Sequence, residues 1–263
     1  WLRYEPVGVV GVVSAWNFPL AVPLTQAAAA VAAGNAVVLK PSELTPLTGG
    51  LVEELFRRAG APPGLVRVVQ GTGEGAGDAL VRQRGVGKLV FTGSADAGRV
   101  VAARAAERLC PITLELGGKD PMIVLDDADL GRAIEGALWA SFANCGQVCS
   151  GVERIYVDAA LYEPFLHGLR ERAAALRIGR GADPRTDLGP LVTEEQRSRV
   201  ESLVSDAVAH GAEVITGGGR PDTGLPGWFH EPTVLAGEPV SSLIRSEEIF
   251  GPVVIVDRID NDE

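Results

Sequence analysis

The 263-residue chain is poor in lysine, histidine, cysteine, methionine and aromatic side chains. Twenty-four basic residues stand against 34 acidic ones, giving a net charge of −10. That balance leaves no basic face for nucleic acid and no basic membrane-surface helix. Three cysteines (Cys110, Cys145, Cys149) cannot form a paired disulfide framework, so a reducing, cytoplasmic setting is expected. None of the three histidines (His167, His210, His230) lies within four residues of another histidine or a cysteine, which excludes the usual zinc spacings. The longest purely apolar runs are about seven residues, as at 27–33, whereas a membrane-spanning helix needs about 20. No secretory leader is visible. The single methionine is Met122 and the chain opens on Trp1, so the natural start is expected to lie upstream.

What is present is 46% apolar and 22% charged, the composition of a globular protein of one large or two ordinary domains. The first half alternates regularly. Apolar runs at 7–13, 36–40, 65–69, 88–92 and 112–116 read as strands. Segments 20–33, 47–59, 75–83 and 95–108 read as helices, several stopped by glycine. Strands alternating with helices predict a mainly parallel, doubly wound, Rossmann-like sheet. After Gly117-Gly118 the pattern resets. Strands are expected at 122–125, 155–157, 214–216 and 253–256, and helices at 130–144, 161–176 and 194–210. The Gly- and Pro-rich stretch 217–227 reads as a surface loop. The expectation is a second α/β domain beginning near residue 118.

Several positions have the right type and placement for chemistry. Cys149 lies between a helical segment and a strand, hence on a loop. Taken alone, an isolated cysteine is more often a small buried hydrophobe, and Cys145 and Cys110 are read in that way. Glu115 ends an apolar strand, where open α/β sheets place ligand sites, and two glycines follow it. Its bland alternative is a turn with a surface ion pair to Lys119. Asn17, in Trp16-Asn17-Phe18-Pro19, is either an oxyanion donor or the cap of the next helix. Two loops compete for a phosphate. One is Gly71-Thr72-Gly73-Glu74-Gly75-Ala76; the other is Phe91-Thr92-Gly93-Ser94, which runs from strand into helix.

Taken together, the chain resembles the NAD(P)-dependent aldehyde dehydrogenase superfamily along essentially its whole length. The resemblance rests on Trp16-Asn17-Phe18-Pro19, Lys40-Pro41-Ser42-Glu43, Phe91-Thr92-Gly93-Ser94, Glu115-Leu116-Gly117-Gly118-Lys119, Gly146-Gln147-Val148-Cys149 and Glu248-Ile249-Phe250-Gly251-Pro252, in the family's order. It implies Cys149 as nucleophile, Asn17 and the Cys149 N–H as oxyanion donors, Glu115 as the base that activates water, and Lys119 as an ordering residue. It implies a cofactor set of Trp16, Lys40, Ser42, Glu43, Gly93, Ser94, Leu116, Gln196, Glu248 and Phe250. Lys40 and Glu43 would meet the adenosine ribose, Ser94 the pyrophosphate, and Glu248 and Gln196 the nicotinamide ribose. The family's cofactor mode favours the Gly93 loop and leaves the Gly71 segment as a structural turn. NAD is implied over NADP, because a carboxylate at Glu43 repels a 2′-phosphate. Residues 1–117 would be the cofactor-binding domain, lacking its N-terminal part, and 118–263 the catalytic domain, lacking its C-terminal part.

The resemblance further implies a small aldehyde as substrate and a homo-dimer or homo-tetramer for the full-length parent. Neither nucleic acid nor membrane is expected as a partner. Phe18, Val22 and Val148 would line the substrate tunnel. The 263-residue piece alone is expected to be poorly folded or inactive. Where many members carry an Ala-Gly pair, this chain has Ser150-Gly151-Val152-Glu153-Arg154, and Glu153 is expected to alter the tunnel wall. Cys145 and Cys149 have a spacing that permits a reversible disulfide. The rival readings are a cysteine-dependent acyl hydrolase or transferase, which would show no thermal shift with NAD, and a non-catalytic derivative of the family.

Overall fold

The computed structural model describes residues 1, 3–237 and 239–260. The chain divides into two compact units, Trp1–Gly117 and Gly118–Glu263.

In the first unit five parallel strands alternate with helices. They are β1 (Val9–Val13), α1 (Ala21–Ala32), β2 (Ala36–Lys40), α2 (Pro46–Arg58), β3 (Val66–Val68), α3 (Asp78–Arg82), β4 (Lys88–Thr92), α4 (Ala95–Ala106) and β5 (Ile112–Glu115). The sheet order is β3-β2-β1-β4-β5, the expected Rossmann-like arrangement. Alternation along β1 explains why it is central. Val10 and Val12 join one apolar cluster with Val37 and Leu39, while Val13 joins the other with Leu89 and Phe91. Segment 75–83, read as one helix, is instead a π-helical turn, Gly73–Gly77, running into the short α3. Three glycines in five residues favour the wider turn, and Thr72 Oγ1 caps it by accepting from Gly75 N at 3.1 Å.

The second unit contains β6 (Asp120–Val124), α5 (Leu130–Phe142), β7 (Val152–Asp158), α6 (Tyr162–Ala174), α7 (Glu194–Ala209), β8 (Glu213–Thr216), β9 (Thr233–Ala236) and β10 (Val253–Ile259). Its sheet order is β6-β7-β10-β9-β8, parallel except for β8 against β9. β9 was not expected from the sequence. All four of its residues are buried, so it shows no alternation, and Pro232 and Gly237 crop it to a length that periodicity does not register. The core is one cluster around Ile155, Phe165, Leu169, Val200, Leu235 and Ile255. Among the described residues no helix is long and apolar enough to cross a membrane.

Candidate active site

The parallel sheet of the first unit determines where its candidate residues sit. Sheet order reverses about β1, so the carboxyl ends of β1 and β4 flank a topological switch point, where such sheets bind ligands. Trp16 and Asn17 follow β1, Lys40 ends β2 with Ser42 and Glu43 beyond it, Gly93 and Ser94 follow β4, and Glu115 ends β5 before Leu116. All of them lie along one edge of one sheet.

Their contacts are specific. Helix α1 begins at Ala21, with Leu20 at the cap position and no side-chain cap, so the helix-cap alternative for Asn17 is not adopted. Lys40 is buried and its Nζ donates to Glu43 Oε2 at 2.8 Å. Glu43 Oε1 accepts from Gly73 N at 3.3 Å. Partial burial would raise the Glu43 pKa, but the Lys40 ammonium and the Glu43 and Gly73 N–H groups outweigh it and hold the carboxyl below the usual range. The Gly71 segment, read as a mere structural turn, therefore also borders the candidate ribose residue. Ser42 is buried and its Oγ accepts from Leu44 N. Ser94 Oγ caps α4 by accepting from Ala97 N at 3.3 Å. Gly93 N donates to the Glu115 carbonyl at 3.1 Å, tying the β4 loop to the end of β5. Leu116 packs on α4 at Gly98, where a Cβ would sit 2.7 Å from its Cδ2. Glu115 is exposed.

In the second unit, α5 unwinds into a tight turn in which Asn144, Cys145 and Gly146 all have positive φ, at 50°, 60° and 68°. This conformation costs L-residues about 1–2 kcal/mol each. Buried Gln147 offsets it. Its Nε2 donates to Asn144 O at 3.0 Å and its Oε1 accepts from Val192 N at 2.9 Å, ahead of α7. Gly146 allows close passage of a second chain segment, because a Cβ there would lie 2.0 Å from Gly251 O. A turn closed by Gly151 N and Val148 O at 2.9 Å then presents Cys149. Cys149 is exposed, whereas Cys110 and Cys145 are buried, and burial pushes the Cys145 thiol up to about 12. All three thiols are free.

Lys119 opens the second unit, just ahead of β6. Its Nζ donates to Glu153 Oε2 at 2.6 Å, with both side chains almost fully buried. Burial pulls the Lys119 pKa below the usual lysine range, and Glu153 only partly restores it. Arg154 Nε donates to Lys119 O at 2.9 Å. Glu153, expected to shape a tunnel wall, faces inward and accepts from Ile249 N and Phe250 N at 2.8 and 2.9 Å. Gln196, matched as a ribose contact, directs its Nε2 to Ile249 O and Phe250 O at 3.1 and 2.9 Å. Glu248 is half-buried. Burial first, then the Glu153 charge, raises its pKa, against the Gly118 N–H that donates to it and the Arg199 and Lys119 charges. Arg199 also donates to Glu248 O at 3.0 Å, a partner that sequence reading missed.

Comparison with known proteins decides the lineage. The profile of the Aldehyde dehydrogenase family matches residues 1–263. The chain belongs to the aldehyde dehydrogenase family. Among curated relatives in this family it is similar to 3,6-anhydro-alpha-L-galactose dehydrogenase of Streptomyces coelicolor, at 46% identity over 96% of this chain and 52% of that one. It is also similar to mitochondrial succinate-semialdehyde dehydrogenase of Arabidopsis thaliana, at 43% identity over 98% and 49%. Among solved family structures, the NAD+ complex of an aldehyde dehydrogenase from Bacillus cereus aligns with a TM-score of 0.94 and 42% identity. That alignment covers 99% of this chain and 52% of the other. The chain thus spans about half the length of the family relatives it matches.

Proposed function

We propose that the protein carrying these residues oxidises an aldehyde to a carboxylic acid, with NAD as hydride acceptor, through a covalent adduct on Cys149. The exposure of Cys149 on a rigidly built turn, while the other two thiols are buried, carries this reading. An aldehyde has no leaving group, so the thiolate adds to the carbonyl carbon and forms a thiohemiacetal before hydride departs. The Asn17 amide and the Cys149 N–H donate to the oxyanion, each such donor contributing about 3–4 kcal/mol. A bound NAD would supply the hydride acceptor, and loss of hydride would leave the Cys149 adduct as a thioester. Glu115 then takes a proton from water, the oxygen attacks the thioester carbon, and the thiolate leaves. The product is a carboxylic acid. Lys119 orders the region through its buried pair with Glu153.

The residues present fit a dinucleotide. The first-turn N–H groups of α4, behind Gly93 and Ser94, suit a pyrophosphate. Lys40 and Glu43 suit the adenosine ribose, and Trp16, Ser42 and Leu116 belong to the same cofactor set. Glu43, held ionised, disfavours a 2′-phosphate and supports NAD over NADP. Glu248 meets the nicotinamide ribose and Phe250 packs nearby, while the Gln196 amide steadies their backbone. Apolar Phe18, Val22 and Val148 favour an uncharged or aliphatic aldehyde, and assembly as a dimer or tetramer completes the proposal.

The test is NADH formation by the whole protein over an aldehyde panel. We expect turnover by the unmodified protein and none by Cys149→Ala. Glu115→Gln is expected to give one stoichiometric burst of NADH and a stalled thioester. NADH formation surviving Cys149→Ala, or NAD-independent ester hydrolysis with no aldehyde oxidised, would refute the reading.

A further inference from the structure

Strand β7 buries Glu153, Ile155 and Val157 on one face. A carboxylate among aliphatic side chains costs several kcal/mol unless it is fully partnered. Here its partners are complete. Oε1 accepts from Ile249 N at 2.8 Å and Phe250 N at 2.9 Å, and Oε2 accepts from Lys119 Nζ at 2.6 Å and Ile249 N at 3.0 Å. Two successive N–H groups thus converge on one anion, in the manner of a backbone nest. Phe250 has a φ of 53°, a conformation that a bulky L-residue holds only when its surroundings impose it. On the carbonyl side of the same two residues, Gln196 Nε2 donates to both oxygens. The peptide units following Glu248 are therefore gripped from both sides. Lys119 also follows Gly118, whose N–H donates to the Glu248 carboxylate.

We infer that Glu153 is a positioning residue for Glu248: its carboxylate fixes the Ile249–Phe250 backbone, with Lys119 as counter-ion, and so fixes where Glu248 is presented to the cofactor. This rests on the proposal that Glu248 meets the nicotinamide ribose. Glu153 touches neither cofactor nor substrate. A carboxylate suits the task because one anion can accept two converging N–H groups and a lysine together.

The experiment measures NAD dissociation constants, without substrate, for the whole protein and for Glu153→Ala, Glu153→Gln and Glu248→Gln. Glu153→Ala orphans both N–H groups and is expected to weaken NAD by about tenfold or more, whereas Glu153→Gln keeps an acceptor oxygen and stays within about threefold. Both variants lose the Lys119 pair, so a role confined to charge balance would weaken them equally and overturn the inference. Unchanged NAD affinity in a folded Glu153→Ala protein would also overturn it, provided Glu248→Gln weakens NAD. If Glu248→Gln itself leaves NAD binding intact, the ribose reading of Glu248 fails, and the positioning inference falls with it for that distinct reason. Hydrogen exchange in the unmodified protein gives a check independent of any variant's folding. The Ile249 and Phe250 amides should be strongly protected and be slowed further by NAD; free exchange at both would sink the inference.

Discussion

At the scale of single residues, the environment separates side chains of the same type. Cys149 is exposed and Cys145, four positions earlier, is buried with its thiol pushed up to about 12. At pH 8 that leaves about one Cys145 in 10⁴ ionised, and the thiolate is the reactive form. Alkylation of the native protein is therefore expected to modify Cys149 alone, with Cys145 and Cys110 reacting only on unfolding. Peptide mapping after a timed iodoacetamide pulse checks this, and early label on Cys145 would contradict it. Glu43 gives a second residue-scale outcome. Its carboxylate is held ionised mainly by Lys40, so replacing it with neutral glutamine removes the repulsion toward a 2′-phosphate. Glu43→Gln is expected to move the NAD-to-NADP preference toward NADP by about tenfold or more, read as the ratio of the two dissociation constants. An unchanged ratio would remove Glu43 from the cofactor set.

At the scale of elements, the turn between α5 and β7 is the most demanding piece of backbone. Three consecutive positive φ angles and the close passage of Gly146 past Gly251 leave no room for a side chain. Gly146→Ala adds a Cβ 2.0 Å from a carbonyl oxygen at a φ of 68°, so both sterics and dihedral oppose it. A loss of about 3 kcal/mol or more is expected from denaturant unfolding. Gly211→Ala is the control. Its φ is 100° but nothing lies within 4 Å of the added carbon, so only the dihedral cost of about 1–2 kcal/mol applies. Equal losses in the two variants would mean that the contact with Gly251 is not the constraint.

At the scale of the whole molecule, acid stability is the accessible property. His230 is fully buried in the second unit, and its Nδ1 lies 2.8 Å from the Glu231 carbonyl. Burial lowers its pKa, only partly opposed by that carbonyl and by Glu201 and Glu231. Just below pH 6.5 the unfolded chain takes up the proton that folded His230 refuses. The unfolded state then binds more protons, so the stabilisation is complete above that range and is lost as pH falls toward the depressed folded value. One such group contributes a slope of at most about 1.4 kcal/mol per pH unit. Melting of the whole protein between about pH 7.5 and 5.5 should show the decline, and a His230→Gln protein should show a flatter one. Identical slopes would assign the acid lability to other groups.

The order of strands and helices was legible in the sequence because both are local patterns. The apolar runs of β1, β2 and β4 and the Gly34 and Gly60 stops need only neighbouring residues to be read. The motifs around Asn17, Glu115 and Cys149 were legible for the same reason. What only the tertiary structure decided is which distant groups meet. Lys119 finds its partner in Glu153, 34 positions away. Gln196 reaches the backbone at residues 249–250 across more than 50 positions. β9 finds its place between β8 and β10 with no periodic signal of its own. Periodicity reports which side of an element is buried. The partner of a buried charge is set by the segment that folds over it, through desolvation and hydrogen bonding that act only once the chain is compact.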